Sequence, residues 1–538
     1  MAIGRGLAHP VRYAVLLTGA LPVLAFPAPN VEFVAWFGLV PGLLLMRASP
    51  SAREAAVRGW WFGAGYLLAA LYWLTPNLGP GLLGVAIVLG LLWSGVGLAT
   101  RGLLRSPVTA GRALAALALV PSCWLLSEWM RSWQAIGGPW AVYGASQWQH
   151  PVFLALAAVG GVWLVSFALV AANTGIVIAV AAASAPVRLL GAAAAAIAIG
   201  AGPAAFALTA AAPTARQVTM ALLQPGVGYG PAARVRANER LTTGPARHAD
   251  LIVWAESSVG YNLNQDTALL RSLQRVSASV GAQLLVSQDA VDAAGGKTKV
   301  GMLVGASGVR GTYVKTRLVP FGEYIPFRQQ LGWLTKISKA APQNMIPGTG
   351  AHVLHATLRS GSPLPIGVLI CFESAFPDMS RVDTDLGAQV IIYQTSDSTF
   401  QASWALAQHA SLDALRAAET GRPVVQAALT GDSAAFDARG RLLAWAGSAD
   451  RGALLVRLDL PPASARTPFD VLKDYVPWTA TGIVALAVML TLIRRGRAAT
   501  VRPDRRADVV WQGNAGTDGA APVSDGSLEK APGPAAEG

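Results

Sequence analysis

Apolar residues run in long blocks through the first 211 positions and again at 476–493, with short polar turns between them. A block of roughly 20 apolar residues is long enough to cross a bilayer. The pattern predicts about eight such segments, near 10–28, 30–46, 59–76, 80–100, 113–131, 153–181, 189–211 and 476–493. The first two are short and separated by Pro27, Pro29 and Asn30, so a single re-entrant hairpin is the alternative, and it leaves the parity unchanged. From 212 to 475 the texture differs. Short runs rich in β-branched residues, at 218–223, 251–254, 283–287, 367–370, 390–393 and 424–427, alternate with helical stretches at 267–280 and 403–420. That alternation predicts an α/β domain with layered sheets. After Arg506 the chain is rich in Gly, Ala, Pro and Asp without apolar periodicity, and disorder is expected there.

Composition agrees with a membrane protein: 53% of the residues are hydrophobic and only 13% charged, against about 25% charged in an ordinary soluble domain. The net charge of +13 raises the question of nucleic acid, but no basic and aromatic cluster forms a nucleic-acid groove. The arginines gather instead in alternate short loops. Arg5 and Arg12 precede the first segment; Arg47, Arg53 and Arg58 follow the second; Arg101, Arg105 and Arg112 follow the fourth; Arg188 lies after the sixth; and Arg494, Arg495, Arg497, Arg502, Arg505 and Arg506 follow the last. The turn at 75–80 and the loop at 132–151 carry no such charge apart from His150. Positive loops stay cytoplasmic, so both termini are expected inside and the region 212–475 outside. The apolar stretch from Leu16 to Ala28 is followed at once by further apolar runs, and reads as a first membrane segment rather than a cleaved leader. The expected domains are a bundle at 1–211, an extracytoplasmic catalytic domain at 212–475, a final membrane helix at 476–494, and a basic then disordered tail at 495–538.

Two cysteines, Cys123 in an apolar segment and Cys371 in the outer region, give neither an expected disulfide nor a closed zinc site. No metal and no cofactor are expected. Three apolar runs of the outer region end in reactive groups: Leu251-Ile-Val-Trp-Ala-Glu256 in a carboxylate, Gly311-Thr-Tyr-Val-Lys315 in an ammonium, and Gly367-Val-Leu-Ile-Cys371 in a thiol. Ligands bind outside strand ends in α/β folds. A base, a cation and a thiol together suit acyl transfer: the sulfur attacks a carbonyl, the carboxylate handles protons and the ammonium stabilises the oxyanion. A nearby ammonium is also expected to lower the thiol's pKa. Taken singly, each residue reads more simply as a buried small hydrophobe or a surface charge; the combination carries the information.

These residues resemble the catalytic set of the nitrilase superfamily of carbon–nitrogen hydrolases, Glu, Lys and Cys in that order. The windows are Trp254-Ala-Glu256-Ser-Ser, Lys315-Thr-Arg-Leu-Val-Pro-Phe-Gly-Glu323-Tyr-Ile-Pro, and Cys371-Phe-Glu373-Ser. With seven apolar segments before them and one after, the chain is similar to the apolipoprotein N-acyltransferase family. Glu128-Trp129-Met-Arg131, Gly137-Gly-Pro139-Trp140, Ser146-Gln147 and Gly161-Val-Trp163 fit in the membrane half; Gln408-His409, Arg416-Ala-Ala-Glu419-Thr-Gly-Arg422-Pro423 and Thr430-Gly431 fit later. These are expected to be architectural, His409 included. The sequence departs from the family at Phe372, where tyrosine is common, at Ser396 to Phe400, at Gly138 before Pro139, and after Gln224, where a tryptophan is frequent.

The resemblance implies a polytopic α-helical membrane bundle with an extracytoplasmic nitrilase-like α-β-β-α sandwich, in the bacterial cytoplasmic (inner) membrane. It implies a phospholipid acyl donor and a diacylglyceryl-cysteine lipoprotein acceptor, with membrane lipid and no nucleic acid as partners. Glu256, Lys315 and Cys371 would be catalytic, the Phe372 backbone N–H would assist the oxyanion, and Glu323 and Glu373 would support. One of these acids is expected to fix the Lys315 ammonium and the other to raise the Glu256 pKa. The segment 325–346, with Phe327, Leu331, Trp333, Leu334, Ile337 and Met345 among Lys336 and Lys339, is either an arm dipping into the interface or a surface loop. Two rivals remain: a tethered amidase that passes the acyl group to water, and a catalytically idle transport or assembly factor.

Overall fold

The structure, a computed structural model, describes residues 10–228, 230–291, 295–336, 341–400 and 402–500. The tail expected to be disordered lies outside these residues. Residues up to Ala487 pack as one compact unit; a second begins at Val488, and its described part, 488–500, is helical.

All eight apolar segments contain helix, and five of the described helices are long and apolar enough to cross a membrane: Gly81–Leu104, Ala110–Arg131, Pro151–Ala181, Ala185–Leu208 and Tyr475–Arg497. The first two segments are broken. Helix Pro10–Ala20 passes into a 3-10 turn, Leu21–Ala25, and the 3-10 turn Glu32–Trp36 precedes a short helix, Val40–Arg47. Prolines at 22, 27, 29 and 41 account for this, since each lacks the N–H that a continuing helix donates. Helix Ala52–Ala70 starts at Ser51, whose side chain accepts from the Glu54 N–H, and it carries Arg53, Glu54 and Arg58 near that end. Helices approach closely through glycine: a methyl at Gly65 would collide with the Leu16 carbonyl, and one at Gly97 with that of Ala55.

The arginines that alternate along the sequence meet at one end of the bundle. Arg47 donates to the carbonyls of Leu104 (2.7 Å) and Ala181 (3.1 Å), Arg58 to Leu45 (2.6 Å), and Arg101 to Ser49 (2.8 Å) and Pro50 (3.0 Å). Arg112 reaches Pro107 (2.7 Å) and Arg188 reaches Ala179 (3.0 Å). Several of these carbonyls close helix C-termini, where a cation meets unsatisfied acceptors and the negative end of the helix dipole. The opposite loops hold the α/β domain. Gln134 donates to the Leu318 carbonyl (2.8 Å), Trp140 to Gln408 (3.1 Å), and Gln408 to the Pro27 carbonyl (2.9 Å).

Twelve strands are found among the described residues: β1 (Arg216–Gln224), β2 (Leu251–Trp254), β3 (Gln283–Val291), β4 (Lys297–Gly305), β5 (Gly308–Val314), β6 (Val353–Thr357), β7 (Pro363–Ile370), β8 (Val390–Thr395), β9 (Val424–Ala428), β10 (Ser433–Phe436), β11 (Leu442–Ala446) and β12 (Gly452–Leu460). They form two six-stranded sheets, ordered β12-β1-β2-β3-β4-β5 and β11-β10-β9-β8-β7-β6. In each, three parallel strands (β1-β2-β3 and β7-β8-β9) are flanked by antiparallel ones. Alternation decides the faces. Val218, Met220 and Leu222 join the core between the sheets, whereas Ala221 and Leu223 pack outward with Val235 and Leu273 of helices Pro231–Thr243 and Thr267–Val280. The sheets touch through Gln394, which donates to the Trp254 carbonyl (2.7 Å) on β2.

Helix Ala405–Thr420 covers the second sheet on one side and meets helix Pro151–Ala181 on the other, so nearly all its residues are buried. The membrane helix is kinked there. Gly161 has φ +69°, and a methyl on it would stand 2.6 Å from the Phe469 ring, so glycine is required for both reasons. The kink frees the Val162 N–H, which donates to Glu419 (2.7 Å). Burial pushes the Glu419 carboxyl up to about 7, with Arg416 opposing.

Of the segment 325–346, Arg328–Leu331 and Gly332–Lys336 are short helical turns, and Phe327 and Trp333 are exposed. Ile337 and Lys339 lie outside the described residues.

Candidate active site

β2 ends two residues before Glu256, β5 ends at the residue before Lys315, and β7 ends at the residue before Cys371. Stacking of the sheets brings these three ends together. The Glu256 N–H donates to the Thr395 carbonyl (3.2 Å) at the end of β8, tying one sheet to the other at the site itself. The backbone turns sharply after three of these strands: Ser257, Cys371 and Asp397 have φ of +55°, +54° and +55°. Left-handed backbone at residues other than glycine costs of order 1–3 kcal/mol and persists only when the surroundings hold it. At Cys371 it ends the strand and starts a 3-10 turn, Cys371–Ala375, on which Phe372 and Glu373 follow the thiol.

Lys315, Glu256 and Glu323 are buried together. The Lys315 Nζ lies 2.8 Å from Glu323 Oε1 and 3.8 Å from Glu256 Oε1, and Glu323 also accepts from the Val319 N–H (2.9 Å). Glu323 therefore sits where the sequence places an acid that fixes the lysine. Burial works against the Lys315 charge, but Glu323 and Glu256 outweigh it and raise the ammonium's pKa, so it stays charged.

Two expectations about charge fail. Burial alone pushes the Glu256 carboxyl up, but Lys299 and then Lys315 outweigh it, so its pKa is lowered rather than raised. The Cys371 thiol is pushed well above its ordinary value, by burial first and by Glu256 next, with Lys315 too weak to reverse them. Both directions point the same way, to a carboxylate at Glu256 and a protonated thiol at Cys371 at rest, a base and its proton source.

Glu373 is not the acid beside Glu256. Its carboxylate is buried and accepts the N–H groups of Thr316 (2.7 Å), Arg317 (2.9 Å) and Ile370 (2.7 Å) and the Tyr313 hydroxyl (2.8 Å). It ties the strand carrying Cys371 to the loop after Lys315. Burial raises its pKa, with the Arg317 and Ile370 N–H groups opposing. Glu373→Gln would place an NH2 against one of these donors, leaving a buried N–H unpaired at a cost of about 1–3 kcal/mol. A lower unfolding temperature is expected, read by thermal fluorimetry on the purified protein.

Three side chains near the site carry no local sequence signal as site residues. Lys299 lies 3.4 Å from Glu256 Oε1 and 2.8 Å from Asp289 Oδ1. His409, read from the sequence as architectural, bonds Asp397 through Nδ1 (2.7 Å) and the Cys371 carbonyl through Nε2 (3.1 Å). Burial disfavours the charged imidazole, but Asp397 outweighs it and the His409 pKa is raised. Cys371, Asp397 and His409 each bring one possible metal ligand atom to within 4.8 Å of the others. Both ring nitrogens of His409 are engaged already, so the group reads as a hydrogen-bonded brace on the backbone of the thiol residue.

The wall beside this brace is aromatic and comes from both parts of the chain. The Trp140 ring lies tilted 5.5 Å from that of His409 and edge-on 5.7 Å from that of Phe400, and Trp73 lies 4.9 Å from Phe400. Gly138, with φ +73°, lies under the Phe372 ring, and a methyl there would come within 2.7 Å of it. Two departures from the family pattern, at 138 and 372, thus meet each other in space.

The family model described as the apolipoprotein N-acyltransferase N-terminal domain matches residues 18–175, and the carbon–nitrogen hydrolase model matches residues 235–465. An apolipoprotein N-acyltransferase from Chlorobaculum tepidum is 28% identical over 537 residues, covering 92% of this chain and 98% of its own. One from Pseudomonas paraeruginosa is 28% identical over 523 residues, with the same coverage of 92% and 98%. A third, from Allorhizobium ampelinum, is 31% identical over 439 residues, covering 73% of this chain and 78% of its own. With both halves matched and this identity held over most of the length, the chain belongs to the apolipoprotein N-acyltransferase family of the nitrilase superfamily.

Proposed function

We propose that the protein moves an acyl chain from a membrane phospholipid to the α-amine of a diacylglyceryl-cysteine lipoprotein, through a thioester on Cys371. The observation that carries this reading is the meeting of Glu256, Lys315 and Cys371 at three strand ends beside an aromatic wall shared with the membrane bundle. Glu256 takes the thiol proton as sulfur attacks the ester carbonyl of the donor. The Lys315 ammonium and the Phe372 N–H stabilise the tetrahedral oxyanion. The intermediate collapses, the C–O bond breaks, and Glu256 returns its proton to the departing lysophospholipid oxygen. The acceptor amine then attacks the thioester, losing a proton to Glu256, and the thiol is restored. One site serving two substrates in turn gives ping-pong kinetics.

Sidedness follows the arginines. The end of the bundle that carries Arg47, Arg58, Arg101, Arg112 and Arg188 faces the cytoplasm in this reading, and the loops that hold the catalytic domain face outward. The catalytic domain spans 212–475 and both termini are cytoplasmic. On the extracytoplasmic face of that membrane the lipid surface supplies the donor, and each buried CH2 of an acyl chain contributes about 0.8 kcal/mol to holding it in an apolar groove.

Incubating the purified protein with phosphatidylethanolamine and an S-diacylglyceryl-cysteine peptide tests the reading. N-acylated peptide is expected, with little free fatty acid. Free fatty acid without N-acyl peptide would make the protein a lipid-directed hydrolase instead.

A further inference from the structure

β4 begins with Lys-Thr-Lys, and the register of its ladder sets Lys299 opposite Asp289 of β3. On its other side the Lys299 carbonyl accepts the Lys315 N–H (2.9 Å), so the two lysines are neighbours across the sheet. Both ammonium groups turn to the same carboxylate oxygen: Lys299 Nζ is 3.4 Å and Lys315 Nζ is 3.8 Å from Glu256 Oε1. Lys299 also donates to Ser257 Oγ (2.8 Å) and Asp289 Oδ1 (2.8 Å), and Ser257 Oγ donates to Asp289 Oδ1 (3.0 Å). Lys315 is sealed in, with its side chain 1% exposed, whereas Asp289 is 44% exposed and Lys299 lies between that rim and Glu256.

We propose that Lys299 is a positioning residue that holds Glu256 as a carboxylate, and that Asp289 limits how strongly it does so. The proposal rests on the reading of Glu256 as the base for Cys371. Lys315 is largely committed to Glu323 at 2.8 Å, so it answers to two carboxylates at once. A base that must accept the thiol proton and later return it needs a proton affinity set within a narrow range. The second ammonium lowers that affinity, and the half-exposed Asp289 moderates it by competing for the same Nζ. The charged and titratable groups around Glu256 are Lys299 from β4, Lys315 after β5 and Cys371 after β7. Asp289 and Glu323 act on it through the two lysines, and Asp397 lies beyond Cys371.

The test follows acyl-adduct formation on Cys371 by intact mass spectrometry, with phosphatidylethanolamine in mixed micelles, across a pH series from acid to mildly alkaline. In Lys299→Met the Glu256 carboxyl loses a cation, so its pKa rises. The acid limb of the rate profile should move toward neutral pH by about 1 unit, the lower end of the shift that one nearby opposite charge produces. Lys299→Arg should restore it, and the alkaline-side plateau should stay close to that of the unaltered chain. Asp289→Asn, a change at the solvent rim that leaves the core packing alone, should move the limb the other way, because Lys299 is left to Glu256. A limb that stays in place in both variants, or a uniform loss of rate at every pH, overturns the assignment of Lys299. An unaltered chain that forms no adduct at any pH overturns the thioester reading instead, so the two failures are separable.

Discussion

Cys371→Ala is expected to form no acyl adduct and to lose N-acyl transfer by roughly four orders of magnitude or more, as removal of a catalytic nucleophile does elsewhere. Three features of the site support this. Cys371 follows the end of β7 in a left-handed backbone, its carbonyl is held by His409, and its charge and that of Glu256 act on each other. No other described cysteine can substitute, since Cys123 is buried in helix Ala110–Arg131 of the bundle, away from Glu256 and Lys315. Cys123→Ala should therefore keep its activity. Alanine at 371 is small enough to leave the strand end undisturbed, so the unfolding temperature of Cys371→Ala should stay near that of the unaltered chain. Transfer assays on both variants check the pair together. Activity surviving in Cys371→Ala would remove the thioester from the mechanism.

The second large effect is expected at Lys315, on rate and stability together. Lys315→Met removes the ammonium that lies between Glu256 and Glu323, and both carboxylates are buried. Breaking a buried ion pair from one side leaves an uncompensated charge, which costs about 3–5 kcal/mol. It also removes one stabiliser of the developing oxyanion, a loss of roughly 100-fold to 1000-fold in the chemical step. The carboxylates relieve their repulsion by binding a proton, so the variant should be least impaired in stability at acid pH, where the carboxylates are neutral. Thermal unfolding across a pH series measures the first effect, and single-turnover acyl-adduct formation measures the second. A variant as stable as the unaltered chain would mean that Lys299 alone neutralises the cluster.

Much of this site was legible because its chemistry sits in short, local strings. Each apolar run ends on its reactive residue, and helix Thr267–Val280 is framed by Asp266, which caps its start, and Gly281, which is left-handed at its end. What escaped was made by contacts between distant parts of the chain. Lys299 meets Glu256 only because β3 and β4 fold back on each other, and in sequence it is one of two lysines at a strand start. His409 reaches the Cys371 carbonyl across 38 positions. Gln408, His409, Arg416 and Glu419 of helix Ala405–Thr420 fit the family in sequence, but their burial comes from the bundle packing against that helix, which no local string shows. The strands β10, β11 and β12 lie in antiparallel pairings; β10 and β11 are only four and five residues long, and β12 alternates between covered and exposed positions from Leu455 on, which leaves no long apolar run to mark them.

The expectation about thiol acidity failed for a related reason. Proximity to a lysine predicts a lowered pKa, but Lys315 is already engaged by Glu323, and Glu256 stands beside the sulfur. The same geometry explains why Glu256, with two ammonium groups near it, is held as a base. In the proposed mechanism, deprotonation of the thiol coincides with attack, and the thiolate need not persist at rest.

Intact mass spectrometry of the purified protein after exposure to phosphatidylethanolamine alone, with no acceptor, tests the central claim most directly. The account predicts a mass gain of one acyl chain, located on Cys371, stable until an S-diacylglyceryl-cysteine peptide is added and then lost as the peptide gains the chain. An unchanged mass with donor consumed, or an acyl group found on any residue other than Cys371, would contradict it.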